Sequence, residues 1–258
     1  MNDPLERKDY SLFHYTNLSA LISILRSECI VLWATNAAYL NDPTELKQGI
    51  AIVNELENTH FQFDDFKNIY LTSFSNNADS LVMWSQYGAH GNGCSIGISS
   101  KTIGASYGQF CRCCYGREET EQYLKKTLSL IDNGVFSTFG LPKPSEEIIS
   151  AQRKLSRQIF LQTTCVMSKD AAYKHENETR AFVEVPKEHY KQVQFRLVDN
   201  RIVPYVQIQL DKNALTDIVI GPTLNADITE RSIKQMLEIR NYDMSKINIK
   251  FSDVPFRG

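Results

Sequence analysis

The residues best placed to do chemistry are Glu176, Glu178 and Arg180. They lie in the stretch Tyr173-Lys174-His175-Glu176-Asn177-Glu178-Thr179-Arg180-Ala181-Phe182-Val183. The polar half runs into Ala181-Phe182-Val183-Glu184-Val185, a β-favouring segment stopped by Pro186. If a strand reaches back to Glu176, alternation projects all three charged side chains from one face. Two carboxylates on one face repel, so such a pair is either screened by water or wanted there. The plain reading is a solvated strand end with Glu178 paired to Arg180, a common and weak arrangement. The sharp reading is a catalytic carboxylate.

Several chemistries drop out. There is no Gly-x-x-x-x-Gly-Lys phosphate loop, no Gly-x-Ser-x-Gly elbow and no kinase motif set. His175-Glu176-Asn177-Glu178-Thr179 misses the zinc-protease pattern, because Thr179 stands where the second histidine belongs. Cys111, Cys113 and Cys114 cluster, but with no Cys-x-x-Cys pair and no histidine at zinc spacing, so no metal is expected. What remains is a histidine, some aromatic residues and a strand-edge carboxylate. Cleavage of the glycosidic bond of NAD suits that set. Nicotinamide leaves as a neutral group, so no general acid is needed, and one carboxylate can stabilise the oxocarbenium ion. Aromatic rings can stack on nicotinamide, and a histidine can hydrogen-bond ribose hydroxyls.

The bulk numbers are those of an ordinary globular protein. The chain has 258 residues, 42% of them hydrophobic and 22% charged, with net charge −2. That balance gives no global pull toward nucleic acid or anionic lipid. Two local basic clusters, Arg112, Arg117, Lys125, Lys126 and Arg153, Lys154, Arg157, read as solvated faces. The start, Met1-Asn2-Asp3-Pro4-Leu5-Glu6-Arg7-Lys8, has no signal-peptide core, and no apolar run nears the ~18 residues a span needs. A cytoplasmic protein without membrane contact is expected, its six cysteines reduced.

The positioning elements follow from periodicity. A strand is expected over 12–16, then a helix from Asn17 with Leu18, Leu21, Ile22 and Leu25 on one face, which puts His14 at a strand-to-helix junction. After a strand over 30–35, Asp42, Pro43 and Glu45 read as cap, first helical residue and capping box, leaving Asn41 unexplained. Further strands are expected over 69–75, 94–99, 109–115, 181–185, 193–198, 201–203, 217–220 and 247–251. Helices are expected over 80–87, with Trp84 and Tyr87, and over 118–131 and 145–167. Another opens with a box of Asp227 and Glu230. Residues 133–144 form a loop or insertion point rich in Gly and Pro. The expected class is α+β: a single domain over 1–258 with a mixed, mostly antiparallel sheet and flanking helices.

Taken together the motifs resemble a known family. Leu12-x-His14-Tyr15-Thr16, Leu40-Asn41-Asp42-Pro43-x-Glu45, Ser73-Phe74-Ser75, Met83-Trp84-x-x-Tyr87, Gly91-x-Gly93-Cys94, Glu176-x-Glu178-x-Arg180, Ile220-Gly221-Pro222 and Ser252-Asp253-x-Pro255-Phe256-Arg257 are similar to the bacterial domain-of-unknown-function family 2971 (DUF2971). Two positions depart from its pattern: the Trp common before the Glu-x-Glu pair is replaced around Tyr173 and Lys174, and Phe256 stands where a Tyr is usual. That family in turn resembles ADP-ribosyltransferases of the histidine–tyrosine–glutamate type. The resemblance implies an ADP-ribosyltransferase-like fold and NAD as substrate. It makes Glu178 the catalytic glutamate and Glu176 its partner. His14, Tyr15, Thr16, Asn41, Trp84, Tyr87 and Arg180 become NAD-binding residues. It further implies a toxin or antiviral defence effector with a protein or nucleic-acid acceptor, and an antitoxin or partner subunit. Two other readings stay open: a non-catalytic nucleotide- or protein-binding module, and a metal-dependent nuclease or hydrolase using Glu176, Glu178 and Asp42.

Overall fold

In the computed structural model, which describes residues 9–40, 43–133, 145–223 and 225–255, the apolar opening becomes β1 (Ser11–Thr16). Asn17 caps α1 (Leu18–Ile24) by accepting the Ala20 N–H at 2.7 Å. There follow β2 (Ile30–Asn36), α2 (Pro43–Glu57), β3 (Ile69–Ser75), α3 (Leu81–Gln86), β4 (Cys94–Ser99), α4 (Ser100–Tyr107) and β5 (Gln109–Arg112). Next come β6 (Cys114–Tyr115), α5 (Gly116–Asp132), α6 (Glu146–Met167), β7 (Ser168–Lys169) and β8 (Glu178–Glu184). The chain continues through β9 (Gln194–Val198), β10 (Arg201–Leu210), β11 (Leu215–Ile220), α7 (Ala226–Ile239) and β12 (Asn248–Phe251). It divides into two compact units: Met1–Thr35, Ile69–Arg112 and His175–Gly258 form the first, Asn36–Asn68 and Cys113–Lys174 the second.

The first unit is an open sheet in the order β12-β11-β4-β1-β3-β2-β10-β9, with β8 and then β5 branching from β3. The pairs β1/β3, β1/β4, β4/β11, β3/β8, β5/β8, β2/β10 and β9/β10 are antiparallel, and β11/β12 is parallel. The architecture is therefore α+β with a mostly antiparallel sheet. Strand β3 is its branch point. Strand β8 takes one edge of β3 over its whole length, from Ile69↔Glu184 to Ser75↔Glu178. Strands β1 and β2 share the other edge, and β1 meets β3 through the single pair Phe13↔Ser75. The sheet thus parts between β1 and β2.

One face of this sheet carries the main core: Leu12, Leu32, Ala34, Tyr70, Phe74, Ile96, Ile98, Ala181, Val206 and Ile218, with Ile233 and Leu237 of α7. On the other face Tyr15, Met83, Trp84 and Val219 form a smaller cluster under α3. Gly93 and Gly221 are explained by close backbone approach. A Cβ on Gly93 would lie 2.1 Å from the Thr16 carbonyl, and one on Gly221 would lie 2.4 Å from the Gly91 carbonyl. The Gly-x-Gly and Ile-Gly-Pro motifs are therefore packing devices.

The second unit gathers α2, α5 and α6 around buried Leu46, Val53, Leu124, Leu128, Leu161 and Cys165, with β6 and β7 paired in parallel. Asp42 and Asn41 lie outside the described residues. Glu45 is buried and pairs with Lys169 Nζ at 3.1 Å, while the box expected with Asp42 lies outside the described residues.

Other expectations need revision. Residues 109–115 are not one strand. They split at Cys113 into β5, which extends β8, and β6, which pairs with β7. Helix α4 went unpredicted because Ser99, its cap, is also the last residue of β4. The cap of α7 falls on Asn225, and Glu230 pairs with Lys234 at 2.8 Å instead of closing a box. Of the expected loop, residues 134–144 lie outside the described residues.

Candidate functional site

Glu176 and Glu178 do not share a strand. Asn177 takes φ 45°, a left-handed conformation that Asn tolerates, and β8 begins after it. The kink is pinned from β3 and the residues following it. Ser75 Oγ donates to the Glu176 carbonyl at 2.7 Å. The Asn76 amide nitrogen and Nδ2 reach the Asn177 carbonyl at 2.9 and 2.8 Å. Asn76 Nδ2 also reaches Thr179 Oγ1 at 2.9 Å. Side-chain-to-backbone bonds of this kind offer the chain an alternative to the ladder, which is why the strand stops there.

Glu178 and Arg180 form a bidentate pair, Nε to Oε1 at 2.8 Å and Nη2 to Oε2 at 3.2 Å. The side chains are 5% and 3% exposed, so the expected ion pair exists, but it is not solvated. Their cross-strand partners on β3 are Ser75 and Ser73, so both project from the face opposite Tyr70 and Phe74. Glu176 is also buried and accepts a hydrogen bond from the Tyr87 hydroxyl at 3.0 Å, a contact spanning 89 residues of sequence. The aromatic motif and the Glu-x-Glu motif therefore form one polar cluster.

Trp84 offers no ring face to solvent. It is 0% exposed, packs edge-on to Tyr15 at 4.8 Å between centroids and donates Nε1 to Asp79 at 2.5 Å. Asp79 also accepts from Ser252 Oγ at 2.6 Å and the Asp253 N–H at 2.8 Å, which anchors the Ser252-Asp253 motif. No local spacing signals this role for Asp79, whose partners lie five and more than 170 residues away. Tyr15 is buried too. Its hydroxyl donates to the Asn77 carbonyl at 2.9 Å and accepts the Ser80 N–H at 3.0 Å, while burial pushes its pKa up. Thr16 is buried at the end of β1.

His14 alternates with Phe13, which puts its Cβ on the Phe74 side of the sheet, and the two rings meet edge-on at 6.0 Å. That is the side opposite Glu178. The His14 Nδ1 lies 3.0 Å from the Ser73 carbonyl. Because a carbonyl only accepts, Nδ1 carries the proton and Nε2 is left as an acceptor. Burial holds the His14 pKa below its ordinary value, and the nearby Arg196 charge adds to the effect.

Arg196 belongs to a second cluster that the sequence did not reveal. Trp33 of β2 and Tyr205 of β10 stack at 4.4 Å with 30° between planes. The Arg196 guanidinium carbon sits 5.3 Å from the Trp33 ring centre and 5.8 Å from that of Tyr205, with Nη2 donating to Thr35 Oγ1 at 2.8 Å. Only cross-strand register brings residues 33, 196 and 205 together, and no local spacing signals that. Among the described residues no group of three or more His, Cys, Asp or Glu is arranged to hold a metal, and no helix is long and apolar enough to cross a membrane.

Fold and site define an α+β protein with a branched, mostly antiparallel sheet and a buried carboxylate–tyrosine–arginine cluster beside β3. Residues 83–181 match the model of a family described as protein of unknown function (DUF2971), which supports the assignment to that family. The matched stretch includes Trp84, Tyr87, Glu176, Glu178 and Arg180. No curated protein and no solved structure matches the chain.

Proposed function

We propose that the protein is an NAD-consuming ADP-ribosyltransferase of the histidine–tyrosine–glutamate type, acting on a protein or nucleic-acid acceptor. The observation that carries the reading is the Tyr87–Glu176 hydrogen bond, 3.0 Å long, which ties the aromatic motif to the carboxylate pair. Adjacent support comes from the strand order β1-β3-β8, which sets the His14 strand next but one to the Glu178 strand. Glu178 supplies the negative charge that stabilises the oxocarbenium ion. Arg180, which the resemblance makes an NAD-binding residue, is suited to position Glu178 through their bidentate pair. Glu176 and Tyr87 orient the acceptor and the nicotinamide ring, and neutral His14 accepts a ribose hydroxyl at Nε2.

The test is nicotinamide release from NAD without added metal. The parent is expected to release it, and Glu178→Gln to do so at least ~100-fold more slowly. An active, folded Glu178→Gln protein sinks the reading. One observation favours a second reading, nucleotide binding without turnover: the closed Glu178–Arg180 pair, 5% and 3% exposed, must admit substrate before it can act. Nucleotide binding with no nicotinamide release by the parent selects that alternative.

A further inference from the structure

A guanidinium on a sheet face normally keeps its nitrogens in water. Arg196 does not. Its Nε is buried with no hydrogen-bond partner, and Nη2 is its one bonded nitrogen among the described residues. Two stacked rings and Thr35 hold the group in place, so it cannot swing out to find water without leaving them. A buried donor without an acceptor is costly, which leaves the group poorly satisfied, and its outer nitrogens can give an arriving anion charge-assisted bonds. Trp33 is stacked on Tyr205 with the charge over its ring, and the 39% of it that stays exposed is apolar surface beside that charge. His14, near enough for the Arg196 charge to disfavour its protonation, adds an acceptor that asks for a hydroxyl donor. An anion, a hydroxyl and a flat ring are the three parts of a nucleotide.

We infer that Arg196, held against the stacked Trp33 and Tyr205 rings, is a subsite for the phosphate of a nucleotide ligand, with the exposed part of Trp33 as the stacking surface for its base. The ligand class rests on the NAD reading above, but the subsite needs no bond cleavage. Arg196 donates through Nη1 and the second hydrogen of Nη2, and paired donors of this kind suit phosphate oxygens.

The test is calorimetric titration of the whole chain with ADP and with adenosine. The parent is expected to bind ADP at least ~10-fold more tightly than adenosine, as charge-assisted bonds to phosphate require. Arg196→Gln removes that preference and leaves adenosine affinity unchanged. Trp33→Leu weakens both ligands by about 10-fold, the usual scale of base stacking. If Arg196→Gln melts early, Arg196→Lys decides instead: it keeps the charge but loses the fork, and retains only part of the ADP preference. An ADP preference that survives in Arg196→Gln, or one undiminished in Arg196→Lys, overturns the subsite. So does a parent that binds adenosine as tightly as ADP, or that binds no ADP at millimolar concentration. Absence of nicotinamide release, by contrast, defeats the transferase reading and leaves this result standing.

Discussion

Two polar clusters of the same sheet treat their charges in opposite ways. Around β8, Glu178 and Arg180 answer each other through two bonds, and Tyr87 answers Glu176. Around β9, Arg196 is held by rings that cannot accept its hydrogens in the ordinary way, and its Nε has no partner. The first cluster is preorganised: its geometry is fixed before any ligand arrives, as electrostatic stabilisation of a transition state demands. The second is short of bonds and gains most from a ligand. Chemistry belongs on the first kind of site and recognition on the second.

The sharpest way to break that comparison is to unpair the first cluster. Arg180→Ala leaves the Glu178 carboxylate buried without its guanidinium and is expected to cost about 3–5 kcal/mol. Glu178→Leu takes the carboxylate away from buried Arg180 and is expected to cost a similar amount, about 3–5 kcal/mol. The double variant Glu178→Leu/Arg180→Met replaces the pair by apolar groups and should return to within about 1 kcal/mol of the parent. Urea unfolding of the three proteins checks this. Single variants as stable as the parent would mean the pair is screened by water, which is the solvated strand end read from sequence.

A smaller effect is expected at Asp79. Asp79→Asn removes the charge from an acceptor of three bonds, from Trp84, Ser252 and Asp253, and should cost about 2 kcal/mol. Burial of Trp84 should suffer with it, read as a red shift of tryptophan emission. Unchanged emission and stability would show that α3 is held by its apolar contacts alone. Tyr87→Phe ranks lower still, at about 0.5–1.5 kcal/mol for one lost hydrogen bond on a half-exposed ring. The transferase reading adds that its nicotinamide release falls by more than its stability does. Equal kinetics in the two proteins would leave Tyr87 a structural residue.

The contrast between the clusters also explains what the sequence could reveal. Strands β1, β3, β4 and β8 and helices α1, α2, α3, α5 and α6 were legible because apolar spacing dictates them. The Glu178–Arg180 pair was legible because its partners lie two residues apart on one strand. Its burial was not, since that depends on β3 and β5 closing over both edges of β8. Asn177 hid the end of β8, because one left-handed residue ends an alternation without changing composition. The Arg196 cluster was invisible for a stronger reason. Residues 33, 35, 196 and 205 meet through the registers Tyr205↔Thr35 and Val203↔Arg196, and register is a tertiary fact.

The smallest expected effect sharpens the comparison from the side of the second cluster. His14 is held neutral chiefly by burial and then by the Arg196 charge. Its folded pKa is depressed, while in the unfolded chain it titrates near about 6.5. Above that pH both states are neutral and His14 contributes no slope. As pH falls below it the unfolded state binds the proton first, so stability falls until the folded pKa is passed. One proton limits the slope to about 1.4 kcal/mol per pH unit. His14→Asn keeps an N–H for the Ser73 carbonyl but takes up no proton, so its stability should lose this component below about pH 6.5. Arg196→Gln removes the smaller cause and should only make the slope shallower. Urea midpoints of parent, His14→Asn and Arg196→Gln between pH 5 and pH 8 decide it, across the window set by histidine titration. A slope identical in parent and His14→Asn would place the titrating group elsewhere, and the neutral acceptor at His14 would be lost with it.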